Sequence, residues 1–266
     1  MRPRTFVLLL PLACAACATH TGSLRSPPDN LERSDARATK IADAVMETLG
    51  GRAAWERTRY VTFNVGQRRY LWDRSTGLLR LERPGPRSGK PYVIVLNVDS
   101  GAGRAWRAGQ EVVEPSELNP MLDAGRREWI NDSPWLLMPY RLQDHGVMLH
   151  VLGEGQTQEG RAADVLEVTF TIASAAPQPK YHLWVARESG LIEQWSGYAE
   201  RGSEEPAWTC PWKDWKRYGS LMLCGDHGEL GGQPMELTDI AVPDSVPASV
   251  FESPEAVDWD AMLEGR

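Results

Sequence analysis

Cys210 and Cys224 are the residues whose type and spacing point most directly to chemistry. They bracket a strand-turn-strand run from Trp208 to Gly225, with a turn at Arg217-Tyr218-Gly219 and both cysteines equally far from Arg217. Cross-strand pairing would set them opposite each other, so a disulfide is expected. A bridge closing about 15 residues contributes on the order of 3 kcal/mol in the chain-entropy model. The competing use of these thiols, a zinc site completed by Asp226 and His227, lacks a second ligand pair at tetrahedral spacing. The other acid and imidazole pair, Asp144-His145, reads like Asp226-His227 as a surface loop end, while His150 and His182 fall within strands. No nucleophile elbow, zincin helix, phosphate loop or dinucleotide fingerprint occurs. A hydrolase would need acids such as Asp73, Glu193 and Asp214 to converge in one cleft with perturbed pKa values. The chain therefore reads as a non-enzymatic protein, and nothing in it asks for a metal or a cofactor.

Tryptophan is the second chemical signal. The chain has eleven tryptophans against four phenylalanines, ten of them between residues 55 and 215. An indole joins a large apolar area to one polar N–H, which suits a core and equally a ligand-lined cavity. The apolar turn Trp135-Leu136-Leu-Met138 has no polar face, so it must be buried or act as a lid. With it, Trp72, Trp129, Trp184 and Trp195 are the expected cavity or lid residues.

These side chains need elements to hold them. Apolar residues at Ile41, Ala42, Val45, Met46 and Leu49 recur at helical spacing, and Gly50-Gly51 ends that helix. The period then becomes two. Short runs at Tyr60 to Val65, Arg69 to Asp73, Leu78 to Arg83 and Tyr92 to Val98 predict an antiparallel meander. The run Tyr92 to Leu96 is apolar on both faces and requires cover on both. A helical insertion is expected from Asn119 to Tyr140, with Pro120 at its first position and a second start at Ser133-Pro134. Strands resume at Val147 to Leu152, Asp164 to Ile172, Tyr181 to Arg187, Leu191 to Tyr198, the cysteine hairpin and Met235 to Val242. Ten or so antiparallel strands with two helical segments make an α+β domain built on one large curved sheet.

At the N-terminus, Arg2 and Arg4 precede the apolar stretch Phe6 to Ala13 and the small-residue zone Ala13-Cys-Ala-Ala-Cys-Ala18. This is the layout of a secretory signal, too short to span a bilayer. Residues 1–17 read as a signal peptide, 18–36 as a polar, flexible tether and 37–266 as a single domain. Without its leader the chain carries a formal charge of −9, with scattered cations, which argues against nucleic acid as a partner.

The zone around Cys17 resembles a bacterial lipobox, where the thiol takes a diacylglycerol group and becomes the first mature residue. Cys17 fits better than Cys14, which would leave a very short apolar stretch, and plain cleavage after Ala18 is the alternative. Two acyl chains give firm anchoring. Because Ala18 and not Asp follows Cys17, sorting to an outer membrane is allowed by analogy. Over most of residues 37–242 the chain is similar to a group of exported bacterial lipoproteins related to the LolA/LolB/LppX superfamily. The likeness rests on Ile130 to Pro139, on Tyr181-His-Leu-Trp184 with the turn Glu188 to Ile192, and on the hairpin Trp212 to Gly219. It implies an incomplete barrel of about eleven antiparallel strands with helices covering its concave face. It also implies a cell-envelope protein binding lipid or acylated lipoprotein in an apolar cavity. In that group a proline commonly follows the final hairpin where this chain has Cys224, consistent with a bridge there. A surface binding or assembly module with a filled core is the competing reading.

Overall fold

The computed structural model describes residues 34–85, 91–170, 179–255 and 257–260. The leader and the lipidation candidates Cys14 and Cys17 lie outside the described residues.

Helix α1 (Ala36–Thr48) starts where Asp35 accepts the Ala38 N–H at 2.6 Å, a side-chain cap on an otherwise orphaned donor. The other carboxylate oxygen of Asp35 accepts from Val151 N at 2.8 Å, and Ser34 Oγ accepts from Leu149 N at 3.0 Å. Residues that the sequence assigns to the tether thus already hold α1 to the sheet. Ala38, Ala42, Val45 and Met46 form its buried face. Gly50, at φ 121°, ends the run; a Cβ there would sit 2.2 Å from the Ser220 carbonyl oxygen, so only glycine fits. Helix α2 (Arg52–Arg57) follows.

Among the described residues, fourteen antiparallel strands then form two sheets. Strands β1 (Tyr60–Val65), β2 (Arg68–Asp73), β3 (Leu78–Pro84), β4 (Pro91–Asn97), β5 (Gly103–Arg107) and β6 (Gln110–Glu111) make a meander. Helices α3 (Pro115–Asp132) and α4 (Pro134–Leu137) follow it. Strands β7 (Val147–Gln156), β8 (Ala162–Phe170), β9 (Lys180–Ala186), β10 (Ile192–Tyr198) and β11 (Trp208–Pro211) form the five-stranded sheet in sequential order. Strands β12 (Lys213–Tyr218), β13 (Leu221–Leu230) and β14 (Gln233–Ala241) return to the meander, where β14 pairs with β1. Only Trp212 separates β11, which pairs with β10, from β12, which pairs with β13. One short run of chain therefore passes from one sheet into the other. Both sheets are antiparallel, curved and open, with β12 and β6 at the edges of the nine-stranded one and β11 and β7 at the edges of the five-stranded one.

The two faces are buried differently. Val61, Phe63, Tyr70, Leu79, Leu81, Ile94, Leu96 and Ala105 enter the main core with α1 to α4. The alternate residues Tyr60, Leu71, Val93, Val95 and Trp106 form small clusters on the opposite face with Val250 and Phe251. There Arg80, only 1 % exposed, donates to the carbonyls of Val250, Ser253 and Glu255 and pairs with Glu82. The tail after Pro243 is thereby clamped across the outer face of the meander. Strand β4 is covered on both sides as its composition requires, by α3 on one and by Trp106 with Phe251 on the other. Helix α3 comes close enough that a Cβ on Gly125 would lie 3.2 Å from Ile94.

Candidate ligand-binding face

Two aromatic nests line the helix-covered face. Under α3, Phe63 stacks on Tyr70 at 5.0 Å between ring centroids, and Trp129 lies 5.9 Å from Tyr70 and 5.1 Å from Trp72. The Tyr70 tip is met: Tyr70 donates to Asp132 Oδ2 at 2.6 Å, and Arg68 Nε donates to the same oxygen at 2.6 Å, while Trp72 Nε1 is buried without a partner. Burial first, and the Asp132 charge second, push the Tyr70 hydroxyl well above the ordinary tyrosine range, so it remains a donor.

Under α4, Trp135 lies 4.8 Å from Trp195, 5.1 Å from Trp208 and 5.4 Å from His227. Trp212 lies 4.7 Å from His227 and 5.6 Å from Trp195, and Tyr181 closes on Trp195 at 5.3 Å. The turn itself is apolar. Leu136 and Leu137 are fully buried and Met138 nearly so, and Pro134 and Pro139 bound the turn. Tyr140 anchors its far end: its hydroxyl accepts from Met222 N at 3.1 Å and lies 2.8 Å and 2.9 Å from the carbonyls of Met222 and Leu49. Trp55 stacks on Tyr140 at 4.5 Å.

Four polar atoms of this second nest are not met. Trp195 Nε1, Trp212 Nε1 and both ring nitrogens of His227 are buried without a hydrogen-bond partner. The carbonyls of Trp135 and Pro211 lie near the imidazole and favour its charged form, but neither reaches hydrogen-bond geometry. Burial dominates and lowers the His227 pKa to about 4, so the ring is neutral near pH 7.

The expected cavity residues are thus divided among three places. Trp72 and Trp129 belong to the α3 nest, and Trp135, Leu136, Met138 and Trp195 to the α4 nest. Trp184 belongs to neither. Its neighbour Leu183 enters the core and pairs with Trp195, so Trp184 takes the outer face, where its indole nitrogen would lie 3.5 Å from a Cβ on Gly155. Successive strand residues point to opposite sides, and since Trp184 pairs with Gln194 while Leu183 pairs with Trp195, Trp184 and Trp195 do not line one surface.

His227 is the residue that sequence reasoning missed. It reads as a loop end beside Asp226, yet it lies in β13 with no exposure. A signal was present: Leu221, Leu223 and His227 share the parity of one strand face. The disulfide expectation is corrected as well. Cys210 and Cys224 are both free and buried. The hairpin turns after Tyr218, which pairs with Leu221, so Cys224 faces Trp215, while Cys210 has crossed to the other sheet and faces Trp195. Burial pushes both thiols up to about 12, which leaves them unreactive.

The acids considered for hydrolysis do not converge. Asp73 pairs with Arg59 at 2.9 Å, Glu193 accepts from Ser189 at 2.7 Å and Asp214 pairs with Lys216. Among the described residues, no group of three or more His, Cys, Asp or Glu side chains is placed to hold a metal ion. An open cleft of about 290 Å³ lies at the β1–β2 end, lined by Asn64, Arg68, Arg69, Glu82 and Arg83. Its arginines are engaged by Asp132, Asp239 and Glu128.

No family model and no curated protein matches the chain. Among solved structures, a DUF1329 family protein from Desulfovibrio piger is similar over 80 % of this chain and 96 % of its own, with 9 % identity and a TM-score of 0.42. A chain of the Pseudomonas aeruginosa MucA/MucB complex is similar over 61 % of this chain and 52 % of its own, with 17 % identity and a TM-score of 0.23.

Proposed function

We propose that this protein is a non-enzymatic cell-envelope binding protein, exported by its N-terminal signal and held to a membrane through lipid on Cys17. On this reading it takes an acyl chain, of a lipid or of an acylated lipoprotein, against the face covered by α4. The observation that carries the reading is the α4 nest: Trp135, Trp195, Trp208 and Trp212 gathered beneath an apolar lid of one short turn. Apolar, water-excluding surface with few polar anchors is what acyl-chain binding needs. A lid of four residues, bounded by prolines, exposes little backbone if it lifts.

The test is direct. Lipid extraction and mass spectrometry of the mature domain should recover bound acyl species, and the delipidated protein should bind a fluorescent fatty acid with a change in tryptophan emission. A protein that carries no lipid and binds none overturns the reading. One observation favours the competing surface module: the rings of the α4 nest already touch one another, so the nest must open to admit a chain. Labelled palmitate incorporation in C17S and C14S proteins tests the anchor. Loss in C17S alone is expected, and loss in neither leaves ordinary secretion.

A further inference from the structure

The α4 nest holds more unmet hydrogen-bonding capacity than an acyl chain alone would use. Buried polar atoms in folded proteins almost always have partners, because water is lost without replacement otherwise. Here four lie in three contiguous rings: Trp195 and Trp212, 2 % and 1 % exposed, and His227, 0 % exposed. Trp215 Nε1, by contrast, donates to the Ile192 carbonyl at 3.0 Å, and under α3 Trp72 Nε1 is a single unmet atom, so what sets this nest apart is four such atoms in contiguous rings.

The donor and acceptor count identifies what is missing. An indole nitrogen only donates, and a neutral imidazole donates once and accepts once. Three donors therefore stand against one acceptor, and the complement is a group rich in acceptor oxygens. An ammonium head, which only donates, does not fit. Nor does a charged carboxylate find a counter-ion: the nest is lined by Trp135, Trp195, Trp208, Trp212 and Tyr181. The cation on the adjoining strand, Lys213, pairs with Glu159 at 3.1 Å, and Asp226, beside His227, is itself acidic and accepts from Gly228 N.

We infer that the α4 nest is the subsite for an uncharged carbonyl head, an ester- or amide-linked acyl group, whose oxygens accept from Trp195, Trp212 and His227. This rests on the acyl-binding reading above and narrows it. The protein selects acyl groups already joined to a carrier and discriminates against free fatty acids.

The test compares twelve-carbon probes on the mature domain at pH 8: methyl laurate, laurate, dodecylamine and dodecane. Each is read by displacement of a neutral apolar fluorophore. Methyl laurate should bind about tenfold tighter than the other three, the factor expected from one or two hydrogen bonds gained in a dry site. W212F and W195F should lower the ratio of methyl laurate to dodecane affinity, whatever each does to dodecane binding itself, with the melting temperature measured to show that each variant is folded. If the four probes bind alike, or W212F weakens all of them equally, the carbonyl subsite is wrong and the acyl reading survives. If dodecane and methyl laurate both fail to bind, the acyl reading itself falls and takes the subsite with it.

Discussion

The two nests are built from the same residue types and differ in how many polar tips go unmet: Trp72 Nε1 alone under α3, against four atoms under α4. Under α3, the Tyr70 hydroxyl is tied to Asp132, which Arg68 also holds. Under α4, two indoles and an imidazole are buried with nothing to bond. A satisfied network fixes one arrangement of side chains, whereas unmet polar groups raise the free energy of the closed state. The α3 nest is thus a fastening point of the fold, and the α4 nest is the part with most to gain from a ligand.

Removing a fastener should cost far more than removing an unmet tip. Trp129→Ala takes a buried ring from between Phe63, Tyr70 and Trp72 and should cost about 3–5 kcal/mol in urea unfolding. A loss below about 1 kcal/mol would mean that the α3 nest is not a core.

The next effect is one of pH. With its pKa lowered to about 4 by burial, His227 stays neutral in the folded protein where the unfolded chain, with an ordinary value near 6.5, takes up a proton. Its contribution is complete above about pH 6.5 and lost as pH falls, reaching about 3 kcal/mol by pH 4. Asp73 acts in a lower window. Burial pushes its carboxyl up, but hydrogen bonds from Arg59 and Ser75 outweigh this and hold it at about 2, so its contribution is lost only below about pH 4. His227→Phe should flatten the stability profile between pH 4 and 6.5 and leave the acid limb in place; an unchanged slope would separate His227 from the effect.

Asp132→Ala leaves the Tyr70 hydroxyl and the Arg68 guanidinium without their shared acceptor and should cost about 2 kcal/mol. Trp212→Phe deletes an N–H that has no partner but shrinks a fully buried ring, and should cost no more than about 1 kcal/mol, from the small cavity it leaves. Equal losses in these two variants would erase the distinction between the nests.

Much of the fold is legible in the sequence because burial on one side writes a period of two. Strand β1 occupies the expected residues, and the doubly apolar run in β4 is covered on both faces. Strand β5 was missed because only Ala105 and Trp106 of Gly103–Arg107 are buried. Helix α3 begins at Pro115 and not Pro120. A proline inside a helix forfeits the bond to the residue four before it, here Ser116 in the exposed first turn, where the loss is small. The tail carried no pattern at all, since Arg80 holds it by main-chain carbonyls that any sequence could supply.

By itself, the sequence determined the α+β class, the alternation of most strands, the apolar turn from Trp135 to Met138 and the abundance of indole. Tertiary structure decided which indoles meet, that Trp184 turns away, that Cys210 and Cys224 face different partners and that His227 is enclosed. The physical reason is register. Parity along one strand is local, but the position of a turn and the pairing of strands as distant as β1 and β14 set which side chains share a face, and a one-residue difference exchanges the two faces.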